Sequence, residues 1–135
     1  MAHAAEMLET APRAPMLARE ALARCIDACY DCAQTCTACA DACLGEETVA
    51  ELTRCIALDL DCAVVCTATG TVLSRQVTAG EPWLWALVDA CAEACASCAA
   101  ECERHADMHE HCRVCAEVCR TCESRCREVQ LLAAT

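Results

Sequence analysis

Three observations predict an all-α protein, an antiparallel four-helix bundle with a short extra N-terminal helix. The 135-residue chain is rich in Ala, Leu, Glu and Arg and holds only three Gly, a composition that favours helix. Its 18 cysteines recur mostly at steps of three and four, with one step of seven from Cys55 to Cys62, which is the spacing of one helix face. Breaks fall near Gly45, Gly80 and residues 105–108, and short links between long helices favour up-down-up-down topology.

The elements follow in order. A short helix is predicted over 2–10, ahead of Pro12 and Pro15. The first long helix spans 16–44 and carries Cys25, Cys29, Cys32, Cys36, Cys39 and Cys43 at steps of 4, 3, 4, 3 and 4. After Gly45, Thr48 with Glu51 reads as a capping box that starts a second helix, 48–78, with Cys55, Cys62 and Cys66. Pro82 suits a first helical position and opens a third, 82–105, with Cys91, Cys95, Cys98 and Cys102. Asp107 with Glu110 is another capping box, for a fourth helix over 108–131 that carries Cys112, Cys115, Cys119, Cys122 and Cys126. No linker or low-complexity stretch divides the chain, so 1–135 reads as a single domain, with 1–15 as an extension and 16–131 as the bundle.

These seams account for every cysteine. The seam from Cys25 to Cys43 is roughly 27 Å long at 1.5 Å per residue, a column of sulfur rather than one site. Antiparallel pairing sets Cys36 level with Cys55, Cys29 with Cys62, Cys66 with Cys95, Cys62 with Cys98, Cys102 with Cys112, Cys98 with Cys115, and Cys95 with Cys119. The opposite end gathers Leu17, Leu22, Val72, Leu73, Val77, Trp83, Leu84, Leu87, Val129, Leu131 and Leu132, an apolar plug that supplies folding energy. Trp83 and Trp85 read as end packing; a docking patch is the alternative.

Soft thiolates select Cu(I), zinc and iron–sulfur clusters. Zinc takes discrete tetrahedral sites, and clusters of iron and sulfur take compact sets of four cysteines. An unbroken column suits Cu(I), which accepts two or three thiolates that can bridge neighbouring ions. That predicts a capacity on the order of one ion per thiol. Two structural readings compete: cysteine as a small core hydrophobe, and a disulfide-stapled bundle, for which most same-helix pairs are poorly directed.

The column has a direction. His105 lies three residues after Cys102, and His109 three before Cys112, so both continue seams into the third turn, with His111 beside them. Neutral imidazole suits an exchanging entrance ligand, and Met108 adds a soft thioether. The alternative is a polar turn with solvated histidines. Asp59 sits where the second seam skips, and is either a group at the mouth or an outward acid with Leu58 turned in. Asp61 reads as external and His3 as a surface residue.

The formal net charge is −11, which disfavours nucleic acid and anionic membranes as partners. Residues Met1–Glu20 lack a basic stretch followed by an apolar run, and carry Glu6, Glu9 and Glu20. They read as neither signal peptide nor membrane span, which places the thiols in a reducing cytoplasm. No nucleophile with an oriented base and no phosphate loop is present, so the reading is not an enzyme.

Seams of CxxC and CxxxC on four helices, a His-bearing turn and an apolar opposite end resemble the bacterial copper storage proteins, over residues 16–131. The missing export signal resembles the cytosolic branch of that family. The resemblance implies a bundle filled with Cu(I), the matching cysteines as ligands, uptake at the end bearing His105, His109 and His111, and a homotetramer. A copper chaperone or efflux system is the partner class expected. Two other functions compete: a metallothionein-like zinc or cadmium buffer with one metal per roughly four thiols, and a thiol–disulfide redox protein, which would need one or two activated thiols at a helix N-terminus.

Overall fold

The computed structural model describes residues 3–15 and 17–134. It contains α1 (Ala4–Thr10), α2 (Arg19–Leu44), α3 (Thr53–Leu73), α4 (Trp83–His105) and α5 (Glu110–Ala134), with a single 3-10 turn at Val49–Glu51 and no strand among the described residues. The helix starts expected at residues 2 and 16 fall outside the described residues. Helices α2 to α5 form the four-helix bundle: α2 packs on α3 and α5, and α4 packs on the same two. Helix α1 lies against α2 and buries Ala4 and Leu8.

Every cysteine is buried and free. The 3.6-residue repeat explains this, because steps of three and four keep one face toward the axis. Ala21, Ala28, Ala33, Ala63, Ala92, Ala99 and Ala116 are also buried, and their small side chains let the helices approach. At Gly70, α3 comes close to α2. A Cβ there would stand 3.2 Å from Cys29 Cβ and 3.2 Å from the Tyr30 ring.

Several boundaries differ from expectation. Thr48 does not cap α3; that helix begins at Thr53 after the 3-10 turn, with Leu52 preceding it and no side-chain cap. The Thr48 hydroxyl instead faces His109 Nε2 at 3.4 Å. Helix α3 ends at Leu73 rather than 78; past its end the Ser74 hydroxyl donates to the Gly70 carbonyl at 2.7 Å and Gln76 to the Leu73 carbonyl at 3.1 Å. Pro82 precedes α4 with helical angles (φ −60°, ψ −34°), one residue earlier than the helix itself. The added turn before α3 shifts its register against α2, so Cys62 meets Cys32 at 3.9 Å rather than Cys29. Cys66 meets Cys95 at 3.5 Å as expected.

The plug is smaller than its sequence suggests. Leu22, Leu73, Leu84 and Val129 are buried, joined by Ile26 and Val88. Val77, Trp83, Leu131 and Leu132 lie exposed, and α3 ends before it reaches Val77. Trp85, Leu17 and Val72 are partly buried against the core.

By length and composition alone, α3 and α4 are apolar enough to cross a membrane. Much of that apolar character is cysteine turned toward the bundle axis. Charged pairs bind the outer faces of α4 and α5: Arg127 reaches Asp89 and Glu93 at 2.7 Å each, and Arg120 reaches Glu103 at 2.9 Å. Being exposed, these add little stability.

Candidate metal centre

The seams converge into overlapping sets of four sulfurs. Cys29, Cys91, Cys122 and Cys126 lie within 4.8 Å of one another, as do Cys32, Cys66, Cys95 and Cys122. The same holds for Cys32, Cys36, Cys62 and Cys119, and for Cys36, Cys98, Cys115 and Cys119. Each set takes one or two cysteines from each of several helices and shares sulfurs with the next: Cys122, then Cys32, then Cys36 and Cys119. Contacts run from 3.5 Å for Cys36–Cys119 to 4.0 Å for Cys66–Cys122. Cys25 meets Cys126 at 3.8 Å at the plug end, and Cys55 meets Cys102 at 3.7 Å nearer the mouth.

Protons in such a column are shared unevenly. Hydrogen bonding from Cys119 holds the Cys62 thiol below the ordinary thiol range, and bonding from Cys122 does the same for Cys91. Cys55 is lowered to about 3, chiefly by its bond with Cys102, and Cys25 to about 5, chiefly by Cys126. Their donors are held the other way. Cys119 is pushed up by bonding to Cys115, and Cys122 by bonding to Cys126.

Asp59 points inward. Its side chain is fully buried, and Oδ1 accepts from Cys98 at 3.1 Å, Cys115 at 3.3 Å and Cys102 at 3.6 Å. Burial, reinforced by the Cys115 sulfur, raises its carboxyl to about 8. Leu58 is only partly buried, and Asp61 is exposed.

The mouth holds the three histidines, with distinct surroundings. His111 Nδ1 lies 3.4 Å from Cys39 Sγ and 3.6 Å from Cys112 Sγ, and with Cys39, Cys43 and Cys112 it forms a further set of four ligand atoms within 4.8 Å. Its other nitrogen, Nε2, meets Glu46 Oε2 at 2.9 Å. His109 stacks on His111 with ring centres 5.5 Å apart and places Nδ1 2.8 Å from the same Glu46 oxygen. Hydrogen bonding from His111 keeps the Glu46 carboxyl below the usual range. His105 Nε2 meets Glu101 Oε2 at 2.9 Å. Met108 is exposed, and His3 pairs with Glu6 at the surface.

Glu46 and Glu101 were not singled out by spacing. Glu101 directly precedes the seam cysteine Cys102, and Glu46 directly follows the break at Gly45. A charged residue at a seam edge beside a histidine turn is the signal that marks them both.

The sequence profile of the family described as Csp, copper storage protein, matches residues 18–131. No curated protein matches the chain. Among solved structures, a copper storage protein, Ccsp, from Streptomyces lividans, loaded with 10 copper equivalents, is 55% identical. It superimposes with a TM-score of 0.93, over 96% of this chain and 98% of that one. A second Streptomyces lividans structure, a cytosolic copper storage protein with five coppers, is 62% identical with a TM-score of 0.80, over 84% and 93%. Apo copper storage protein 3 from Bacillus subtilis is 35% identical with a TM-score of 0.64, over 77% and 93%.

Proposed function

Since the chain belongs to the copper storage protein family, we propose that its sulfur column holds Cu(I) on the order of one ion per thiol. The observation that carries this reading is the sharing of sulfurs between successive sets of four. Discrete zinc tetrahedra need ligands of their own, and Cys122, Cys32, Cys36 and Cys119 each belong to two sets. Bridging thiolates between monovalent ions use such sharing directly. Each Cu(I) displaces one thiol proton, so a column filled to one ion per thiol carries no added charge, which suits a buried core.

The ligands in this reading are the eighteen cysteines, Cys25 to Cys126, with His111 completing the set at the mouth and His105 and His109 lining the entrance. The chain works as one storage domain rather than as an enzyme. Its likeness to a cytosolic relative supports a cytoplasmic place, with a copper chaperone or efflux system as donor or acceptor. Assembly as a homotetramer belongs to the same reading, and the exposed Leu60 and Val64 on α3 support burial of that face between copies.

Anaerobic Cu(I) titration of the fully reduced protein against a competing chelator tests the reading. Saturation near one ion per thiol is expected. Saturation near one ion per roughly four thiols would overturn it in favour of zinc-type sites.

A further inference from the structure

Histidines that hold a metal through one ring nitrogen commonly donate the N–H of the other to a carboxylate, which fixes tautomer and ring orientation. Glu46 stands in that relation to two rings at once. An ionised carboxylate only accepts hydrogen bonds, so the nitrogens facing Oε2 carry the protons: His111 Nε2 at 2.9 Å and His109 Nδ1 at 2.8 Å. A neutral His111 ring held in this way bears its lone pair on Nδ1, the atom that lies 3.4 Å from Cys39 Sγ and 3.6 Å from Cys112 Sγ. The His109 lone pair falls on Nε2, where the Thr48 hydroxyl occupies it at 3.4 Å. Both nitrogens of His109 are thus engaged, and its ring stacks on His111.

We propose that Glu46 is the positioning residue of copper uptake: it locks His111 with Nδ1 toward the first thiols of the column and uses His109 as a brace. The proposal rests on the Cu(I) reading above. Glu46 can do this because of its place in the chain. Its backbone N–H is tied to the Cys43 carbonyl at 3.2 Å, at the end of the helix that carries Cys39 and Cys43, while His111 enters from the first turn of α5 and His109 from the residue just before it. One side chain therefore fixes the geometry between two helices that share the outermost ligand set. Without it, the His111 proton is free to move to Nδ1, where it would block the lone pair facing the thiols, and the ring is free to rotate.

The experiment compares wild type, Glu46→Ala and Glu46→Gln as full-length, reduced proteins. Nitrogen-15 spectra of the apo proteins read the histidine tautomers. Stopped-flow mixing with the Cu(I) bicinchoninate complex, without oxygen, reads uptake. Wild type is expected to show His111 protonated on Nε2 and His109 on Nδ1. Glu46→Ala should lose that tautomer bias and take up copper on the order of 10-fold more slowly, with capacity changed by at most one ion. Glu46→Gln keeps a carbonyl acceptor and should recover most of the rate.

Three results overturn the proposal: His111 protonated on Nδ1 in wild type, an unchanged rate in Glu46→Ala, or a Glu46→Gln protein as slow as Glu46→Ala. A wild-type capacity near one ion per four thiols would instead overturn the storage reading beneath it. That failure appears in stoichiometry, not in rate or tautomer.

Discussion

Asp59 places a carboxyl group among thiols that shed protons when metal binds, and its titration separates the apo protein's behaviour from that of an ordinary bundle. Its folded value of about 8 lies above the ordinary 3.8. The native state therefore holds a proton that the unfolded chain releases over that interval. Stability from this proton is complete below pH 4 and is lost as the pH rises toward 8, at a cost of a few kcal/mol. Asp59→Asn keeps the shape and removes the titration. Thermal unfolding of the reduced apo proteins between pH 5 and 8 should show the variant gaining on wild type as pH rises; parallel curves would refute the assignment. Sulfur sharing gives a second prediction at this scale. Cys119 belongs to two sets of four, whereas Cys25 contacts Cys126 at the end of the column. Cys119→Ser should lower Cu(I) capacity by more than one ion, and Cys25→Ser by about one, as read in the same chelator titration.

At the scale of the element, α2 and α3 approach so closely that Gly70 has no room for a side chain. Gly70→Ala gains about 1 kcal/mol of helix propensity. The added methyl, however, would press at 3.2 Å on Cys29 Cβ, which is fixed to the α2 backbone, and on the Tyr30 ring, which is held by its bond to the Thr71 hydroxyl at 3.1 Å. Overpacking of this kind costs about 1–3 kcal/mol, so denaturant unfolding should show a net loss of about 1 kcal/mol. This contact marks the limit of what spacing could reveal. The cysteine steps sufficed to identify the helices, their inward faces and the α3–α4 register at Cys66 and Cys95, because a helical period acts locally. They could not reveal that Thr48 and Glu46 turn toward histidines at the start of α5, nor that the 3-10 turn shifts α3 against α2. Those choices depend on competing tertiary hydrogen bonds. The inward turn of Asp59 was equally hidden, since either face was open to it until the neighbouring thiols supplied donors.

Across the whole molecule, the column and the plug divide the work. Apart from Leu52, the sulfur end is built mostly from small side chains that contribute little apolar area each, while Leu22, Ile26, Leu73, Leu84, Val88 and Val129 bury larger ones at the far end, and α1 adds Leu8. Burying a residue of that size contributes roughly 1.5–3 kcal/mol. The fold is therefore expected to form without metal, unlike metal-dependent domains that are unfolded without their ions. Reduced apo protein should give a helical circular dichroism spectrum, and a coil spectrum would sink this division. Leu84→Ala tests it from the other side. The residue is 4% exposed, so its truncation should cost about 3 kcal/mol in apo unfolding. It offers no ligand atom, so copper capacity should persist wherever the variant remains folded. Copper itself should raise the unfolding temperature of both proteins, because it binds the assembled column more tightly than a disordered chain whose thiols are dispersed. A variant that lost capacity in proportion to stability would mean that plug and column fold as one inseparable unit.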